Sequence, residues 1–261
     1  MASSSEKQRG YQPPSSEAER FLARRAEELA RAAEYSGSVR TLGFLSDREQ
    51  ELAQAAANRS RATVVSWGGF DGAERRILAF APEGEDVQLD VFSIEAVRIR
   101  AGKPARHLTH RDYLGALMGL GIKRESLGDI LVDEEGALVY AHGPAVRLIL
   151  EELSSVGRCS VTCERAQAEA AQAVPPEERR ASVSSLRLDA VLAAMMHVSR
   201  GVSAQLIKAG AVSVNHVETA RPHYEVFAQD VFRVRGYGKY RLCSVGAQSK
   251  KGRTFITYCQ Y

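Results

Sequence analysis

Residues 184–215 read SSLRLDAVLAAMMHVSRGVSAQLIKAGAVSVN, and residues 230–242 read DVFRVRGYGKYRL. Leu188, Val191, Leu192 and Met195 recur at helical spacing behind Ser184 and Ser185, either of which suits an N-cap. Ser199 opens a second short helix over 200–209, and Gly210 stands where a left-handed C-cap belongs. Val212 and Val214 alternate into an Asn215-His216 turn. A strand follows over 231–235 and is closed by the turn Gly236-Tyr237-Gly238-Lys239. The stretch therefore predicts two helices on a small curled sheet.

Charge sets this stretch apart. From Leu186 to Tyr261, 11 Lys and Arg stand against 4 Asp and Glu, an excess of +7. The first 185 residues hold 24 against 28, a net of −4, so the overall +3 hides a basic C-terminal module on an acidic body. That asymmetry is the electrostatic footprint of a polyanion-binding domain. Within it, Arg200 lies at a helix start, where backbone N–H groups and the helix dipole favour phosphate. Arg187 and Lys208 fall on helix surfaces, and Arg235, Lys239 and Arg241 on the last strands and turn. Arg offers a planar fork to phosphate and Lys a mobile point charge. These residues, with the capping Ser199 and the turn residue Asn215, form the first candidate contact set. Tyr237 and Tyr240 suit either base stacking or packing under the sheet.

The chain of 261 residues is 44% hydrophobic and 26% charged, which suits two or three globular domains. No run approaches about 18 apolar residues, so no membrane span is expected. The polar N-terminus lacks a secretory core, and Glu6, Glu17 and Glu19 argue against a transit peptide. Cys159, Cys163, Cys243 and Cys259 complete no zinc pattern, so no metal and no cofactor is expected, and the thiols read as reduced in a cytoplasmic protein.

The chain divides by composition. Residues 1–16 read as a disordered tail. Residues 17–84 read as an N-terminal α/β domain: a helix over 17–35, a second helix begun by Phe44-Leu45-Ser46 with Ser46 and Glu49 as a capping box, then strands over 63–67 and 74–81. Residues 85–165 give the order β-α-β-β-α-β, with helices over 109–118 and 144–156, as in the split βαβ arrangement. Residues 166–182 read as an Ala/Gln/Glu-rich linker, and 183–261 hold the basic module. Fold class is α+β.

Several chemical motifs fail on their neighbours. His110-Arg111-Asp112 resembles a kinase catalytic loop, but Leu117 stands where its Asn belongs. Gly119-Leu120-Gly121 lacks the third glycine and the strand-to-helix turn of a dinucleotide site. Arg187-Leu188-Asp189 resembles a pseudouridine-synthase triplet but lacks the flanking Gly and Thr, which leaves Asp189 as a helix-surface carboxylate or a partner for a nearby Arg. In the middle domain Leu138, Val139 and Tyr140 supply at most one aromatic for stacking, so any RNA contact there falls to loops: Lys123 and Arg124 in GIKRESLGD, and Arg111. The alternative for those cations is helix-end capping.

RLDAVLA, SRGVSAQLIKAGAVSVN and DVFRVRGYGKY, in that order, resemble the S4-type (αL) RNA-binding domain. Upstream, FLSDREQ, WGGFDGAERRILAFAP and HRDYLGALMGLGIKRESLGDI are similar to the YlmH family of bacterial S4-domain proteins, from about Phe44 onward. The resemblance implies an N-terminal α/β domain, an RRM-like central domain and the S4-type domain. It also implies binding to rRNA of the large ribosomal subunit, with peptidyl-tRNA as a further partner, in quality control of stalled ribosomes. A longer polar N-terminus and an extended linker depart from the family pattern. The expectation is a non-enzymatic, cytoplasmic RNA-binding protein with no membrane and no small-molecule substrate. The alternatives are an RNA-modifying enzyme with an S4 targeting domain, which would need converging acids in a cleft within 40–165, and a division-associated scaffold.

Overall fold

The computed structural model describes residues 12–102, 108–167, 177–249 and 252–260. They fall into two compact units, Pro14–Ala173 and the C-terminal residues from Val174.

The first unit opens with α1 (Glu17–Ser36), β1 (Arg40–Leu45), α2 (Asp47–Ala57), β2 (Thr63–Trp67) and β3 (Arg76–Ala81). Its strands make an antiparallel sheet in the order β1-β3-β2. Most of the expected tail lies outside the described residues, but its end does not float. Ser16 is the N-cap of α1, accepting from the Glu19 N–H. Phe44 and Leu45, expected at the head of a helix, instead end β1; α2 starts behind them with the expected Ser46–Glu49 capping box. The sequence RTLGFL carries no clean alternation, and its partner strand is remote in sequence, so β1 had no local signal.

The unit continues with β4 (Ile94–Ala101), α3 (His110–Gly119), β5 (Leu127–Asp133), β6 (Gly136–His142), α4 (Pro144–Glu152), β7 (Ser155–Val156) and β8 (Cys159–Ala166). These strands form a second antiparallel sheet, ordered β5-β6-β4-β8-β7. Helix α4 stops four residues short of the expected Val156, where the chain turns into β7. The tight β5–β6 turn requires Gly136, at φ 147°, because a side chain there would strike the Ile99 carbonyl.

Period-two alternation stacks this unit in layers. In β6, Ala137, Val139 and Ala141 pack with Tyr113 and Leu117 of α3 and Val146 and Ile149 of α4. Leu138 and Tyr140, on the other face, pack with Phe44, Phe70, Ile77 and Ala79 of the N-terminal half. Strand β3 does the same in reverse. Its Leu78 and Phe80 meet Ala26, Ala30 and Ala33 of α1, and its Ile77 and Ala79 meet the second sheet. The order is helices, sheet, sheet, helices.

Two arginines bracket the layers. Arg75 donates to the carbonyls of Leu127 (2.9 Å), Phe44 (2.7 Å) and Arg124 (3.2 Å). Asp129 of β5 accepts from the Glu74 and Arg75 N–H groups. Burial pushes the Asp129 carboxyl up despite those bonds, and burial likewise lowers Arg75. Buried Arg48 of α2 is held by Glu19 of α1 (3.2 Å) and Glu51 (3.1 Å).

The second unit holds β9 (Glu178–Val183), α5 (Leu188–Met195), α6 (Arg200–Lys208), β10 (Val212–Val214), β11 (Val217–Glu218), β12 (Val231–Val234), β13 (Gly238–Gln248) and β14 (Thr254–Gln260). Six antiparallel strands run β11-β10-β12-β13-β14-β9. The expected linker is corrected at its end. Residues 168–176 lie outside the described residues, but 178–182 are strand, because β9 finds its ladder partner in β14, far along the sequence. Val191, Leu192 and Ile207 of the helices pack on Val212, Phe232, Tyr240, Ile256 and Tyr258. No disulfide joins the four cysteines, although the Cys243 and Cys259 sulfurs meet across β13 and β14 at 3.1 Å.

Trp67, the single tryptophan, reports on the first unit. Replacing Arg75 by Ala removes three hydrogen bonds to part-buried carbonyls, although the Leu127 carbonyl keeps Arg124 and the Arg124 carbonyl keeps the Leu127 N–H. Urea unfolding followed by Trp67 fluorescence should show a loss of about 2–4 kcal/mol, and Arg75→Lys, lacking the fork, should recover less than half of it.

Candidate nucleic-acid interface

The N-terminus of α5 is not capped by Ser184 or Ser185. Arg187 occupies the cap position, and the first N–H groups are satisfied by loop carbonyls: Leu188 donates to Tyr224 (2.8 Å) and Asp189 to Pro222 (2.9 Å). The sequence signal failed because the partners come from the β11–β12 connection, remote in sequence. Helix α6 follows expectation. Its cap Ser199 accepts from the Val202 N–H (3.3 Å), and Gly210 is left-handed at φ 67°.

These two helices bring Arg187 and Arg200 onto one carboxylate. Asp189 is only 4% exposed, so it is no surface residue; of the two expected roles, partner to an arginine is the one observed. Arg187 donates through Nε (3.2 Å) and Nη2 (3.1 Å), and Arg200 through Nε (3.0 Å) and Nη2 (3.2 Å), one fork on each side. Burial raises the carboxyl, but the hydrogen bonds from Arg200 and then Arg187 outweigh it and hold it below the usual carboxylate value. Both guanidinium side chains remain about half exposed, at 46% and 48%. Two positive forks over one negative charge leave a fixed excess of one cation, with each Nη1 edge outside the clamp.

The other expected contacts divide. Lys208 and Arg235 are exposed, and neither joins an ion pair among the described residues. Lys239 and Arg241 lie on β13 between inward-facing Tyr240 and Leu242, so they point away from the core. Arg233, paired with Lys239 across the strands, shares that face and was missed by the sequence reading, although its flanking residues Phe232 and Val234 are core. Asn215 serves its turn, the role its place in the sequence favours. It sits at φ 47°, its Nδ2 donates to buried Asp230 (2.8 Å), and its Oδ1 accepts from the Val231 N–H (2.8 Å). Tyr240 is core and donates to the Tyr237 carbonyl, while Tyr237 is exposed on the turn.

In the first unit the stacking face of the second sheet is closed. Tyr140 is fully buried, its ring 4.7 Å from that of Phe70. Of the loop cations, Arg111 and Lys123 are exposed. Arg124 is corrected: its Nη1 donates to the carbonyls of Leu127 (2.7 Å) and Gly128 (3.3 Å), and burial, then neighbouring Arg75, lowers it to about 10. Neither helix capping nor a solvent-facing cation describes it. Asp112 of the kinase-like triplet closes a capping box with Thr109. Among the described residues no group of three His, Cys, Asp or Glu side chains could hold a metal ion, and no single helix is long and apolar enough to cross a membrane.

The Asp189 clamp carries a pH signature. Its folded pKa is depressed, so its stabilisation is present above the unfolded value, about 4, and is lost as pH falls through the lower folded value. Asp189→Asn should cost about 2–4 kcal/mol at neutral pH. That deficit should shrink below about pH 4, measured by hydrogen exchange of the α5 amides.

Comparison with known proteins agrees with this layout. Residues 82–170 match the family model described as "Putative RNA-binding domain in YlmH", and residues 186–232 match the S4 domain. Neither model describes a catalyst. The chain is 31% identical over 242 residues to "Ribosome-associated protein quality control protein P2" of Bacillus subtilis, covering 92% of this chain and 94% of that one. Among solved structures, "Cell division protein ylmH from Streptococcus pneumoniae" aligns with a TM-score of 0.51 and 26% identity, covering 60% of this chain and 96% of that one. With two RNA-binding domains in the family's order and a relative matched nearly end to end, the chain belongs to the YlmH family of S4-domain proteins.

Proposed function

We propose that this protein acts by binding rather than by catalysis, docking in the cytoplasm on rRNA of the large ribosomal subunit and supporting rescue of stalled ribosomes, with peptidyl-tRNA as a further contact. The observation that carries the reading is the Asp189 clamp. It presents two half-exposed guanidinium groups already fixed in geometry, one of them at the N-terminus of α6. Phosphate is favoured at that place by the fork, by the helix dipole and by the basic excess of the unit. Preorganisation by a buried carboxylate also removes much of the side-chain entropy cost of binding. The Bacillus subtilis relative is named for ribosome-associated quality control, which supports the ribosomal target.

The first unit has the strand order of a split βαβ fold, β5-β6-β4-β8, which supports an RRM-like reading of 85–165. Its sheet face is nonetheless covered, so its RNA contact is assigned to exposed Arg111 and Lys123. The same burial speaks against a cleft of converging acids there. A division-associated role is the second reading, favoured by the pneumococcal relative, which is named for cell division; it requires co-purification with division proteins after nuclease treatment.

Two variants test the main reading by co-sedimentation with large subunits. Arg187→Lys with Arg200→Lys keeps both charges and a partner for Asp189 but loses the forks; binding should fall about tenfold. Lys208→Glu with Arg235→Glu should weaken binding further and flatten the slope of log affinity against log salt by about 1 per lost phosphate contact. Undiminished co-sedimentation of both variants overturns the assignment.

A further inference from the structure

The sheet of the second unit has one face turned to the helices and one turned away. Facing residues in the ladder share a side, so the outer side can be read row by row. Ser182 lies opposite Phe255, Arg180 opposite Thr257, Cys259 opposite both Glu178 and Arg241, and Arg233 opposite Lys239 and Ser213. Phe255 is 53% exposed, whereas its neighbours Thr254 and Ile256 are 8% and 1% exposed. A phenylalanine in mid-strand on an open sheet face is the one large aromatic on that side among the described residues.

It does not stand on a flat surface. Phe255 lines a groove of about 590 Å³ with Arg180, Ser182, Gly246 and Thr257, within the range of small-ligand sites. Gly246, in the same lining, adds no side chain; a Cβ there would stand at ordinary contact distance, 3.7 Å, from the Phe255 Cβ. Ser182, across the ladder from Phe255, and Thr257, two residues further along its strand, bring hydroxyl side chains to the same lining. Arg253 holds the lining residue Ser182, its Nε donating to the Ser182 hydroxyl (3.0 Å) and its Nη2 to the Ser182 carbonyl. Arg180 is exposed within the groove. Across the outer face, Arg180, Arg233, Lys239 and Arg241 outnumber Glu178 and Glu218.

We propose that this groove is a stacking site for an unpaired RNA base, with Phe255 as the platform, the Ser182 and Thr257 hydroxyls at the base edge, and Arg180 and Arg253 on the flanking phosphates. An exposed aromatic set among cations on a sheet face is the arrangement that holds single-stranded nucleic acid without a fixed sequence. The site rests on the RNA-binding reading only for the class of polymer. Its residues are separate from the Asp189 clamp, which takes phosphate of structured RNA.

The test uses the full chain and a labelled, unpaired, mixed-sequence RNA of about 12 nucleotides. Phe255→Ala should weaken binding about tenfold in fluorescence anisotropy, and Phe255→Tyr should retain it. In a Phe255→Trp variant the added indole should be quenched by that RNA and not by inorganic polyphosphate. Large-subunit co-sedimentation of Phe255→Ala should persist, which separates this site from the clamp. Wild-type binding by Phe255→Ala, or an unquenched indole with RNA bound, overturns the proposal. So does a self-association that Phe255→Ala abolishes, which would make the face a contact between copies of the chain.

Discussion

The apolar seam between the two sheets of the first unit governs much of what the protein can do. Phe44, Phe70, Ile77, Leu138 and Tyr140 fill it, and all lie out of water. Burying both faces of β3 and β6 gains apolar area that neither sheet could cover alone. It also removes the surface on which a four-stranded βαβ sheet would stack bases. The cost of bringing the two layers together falls on backbone polar groups at their margin, and Arg75 and Asp129 meet it with hydrogen bonds to Phe44, Leu127, Arg124 and Glu74. Residues that look cationic or acidic in the sequence thereby serve the architecture.

The second unit inverts that use of charge. Asp189 is buried there, yet it gathers guanidinium groups toward solvent instead of away from it. A lone buried carboxylate would raise its pKa and neutralise; two forks keep it ionised and make it a fixed anchor for cations. The triplet Arg187-Leu188-Asp189 thus has a structural use. Asp189 positions, Arg187 and Arg200 face outward, and Leu188 is core.

Much of this was legible in the sequence. The Ser46–Glu49 box, the Ser199 cap and Gly210 are local signals, and each appears where its chemistry requires. The strands β1 and β9 were missed because their evidence lies in partners far along the chain. Arg124 was misread for a related reason. A cation in a loop looks available until its acceptors, the carbonyls of Leu127 and Gly128, are brought beside it. Arg233 and Phe255 were overlooked because the local signals are strongest in the helices, although a strand that buries alternate residues must expose the others.

Strand β9 has a consequence for the order of assembly. It is made before both helices of its unit, yet its hydrogen-bonding partner is Thr254–Gln260, more than seventy residues later. During vectorial synthesis the first unit has all its strands in hand early, whereas β9 waits with an unsatisfied edge until β14 emerges. A closure so distant in sequence raises the contact order and slows the last step of folding. A nascent molecule halted before β14 would have neither the outer groove nor a closed sheet.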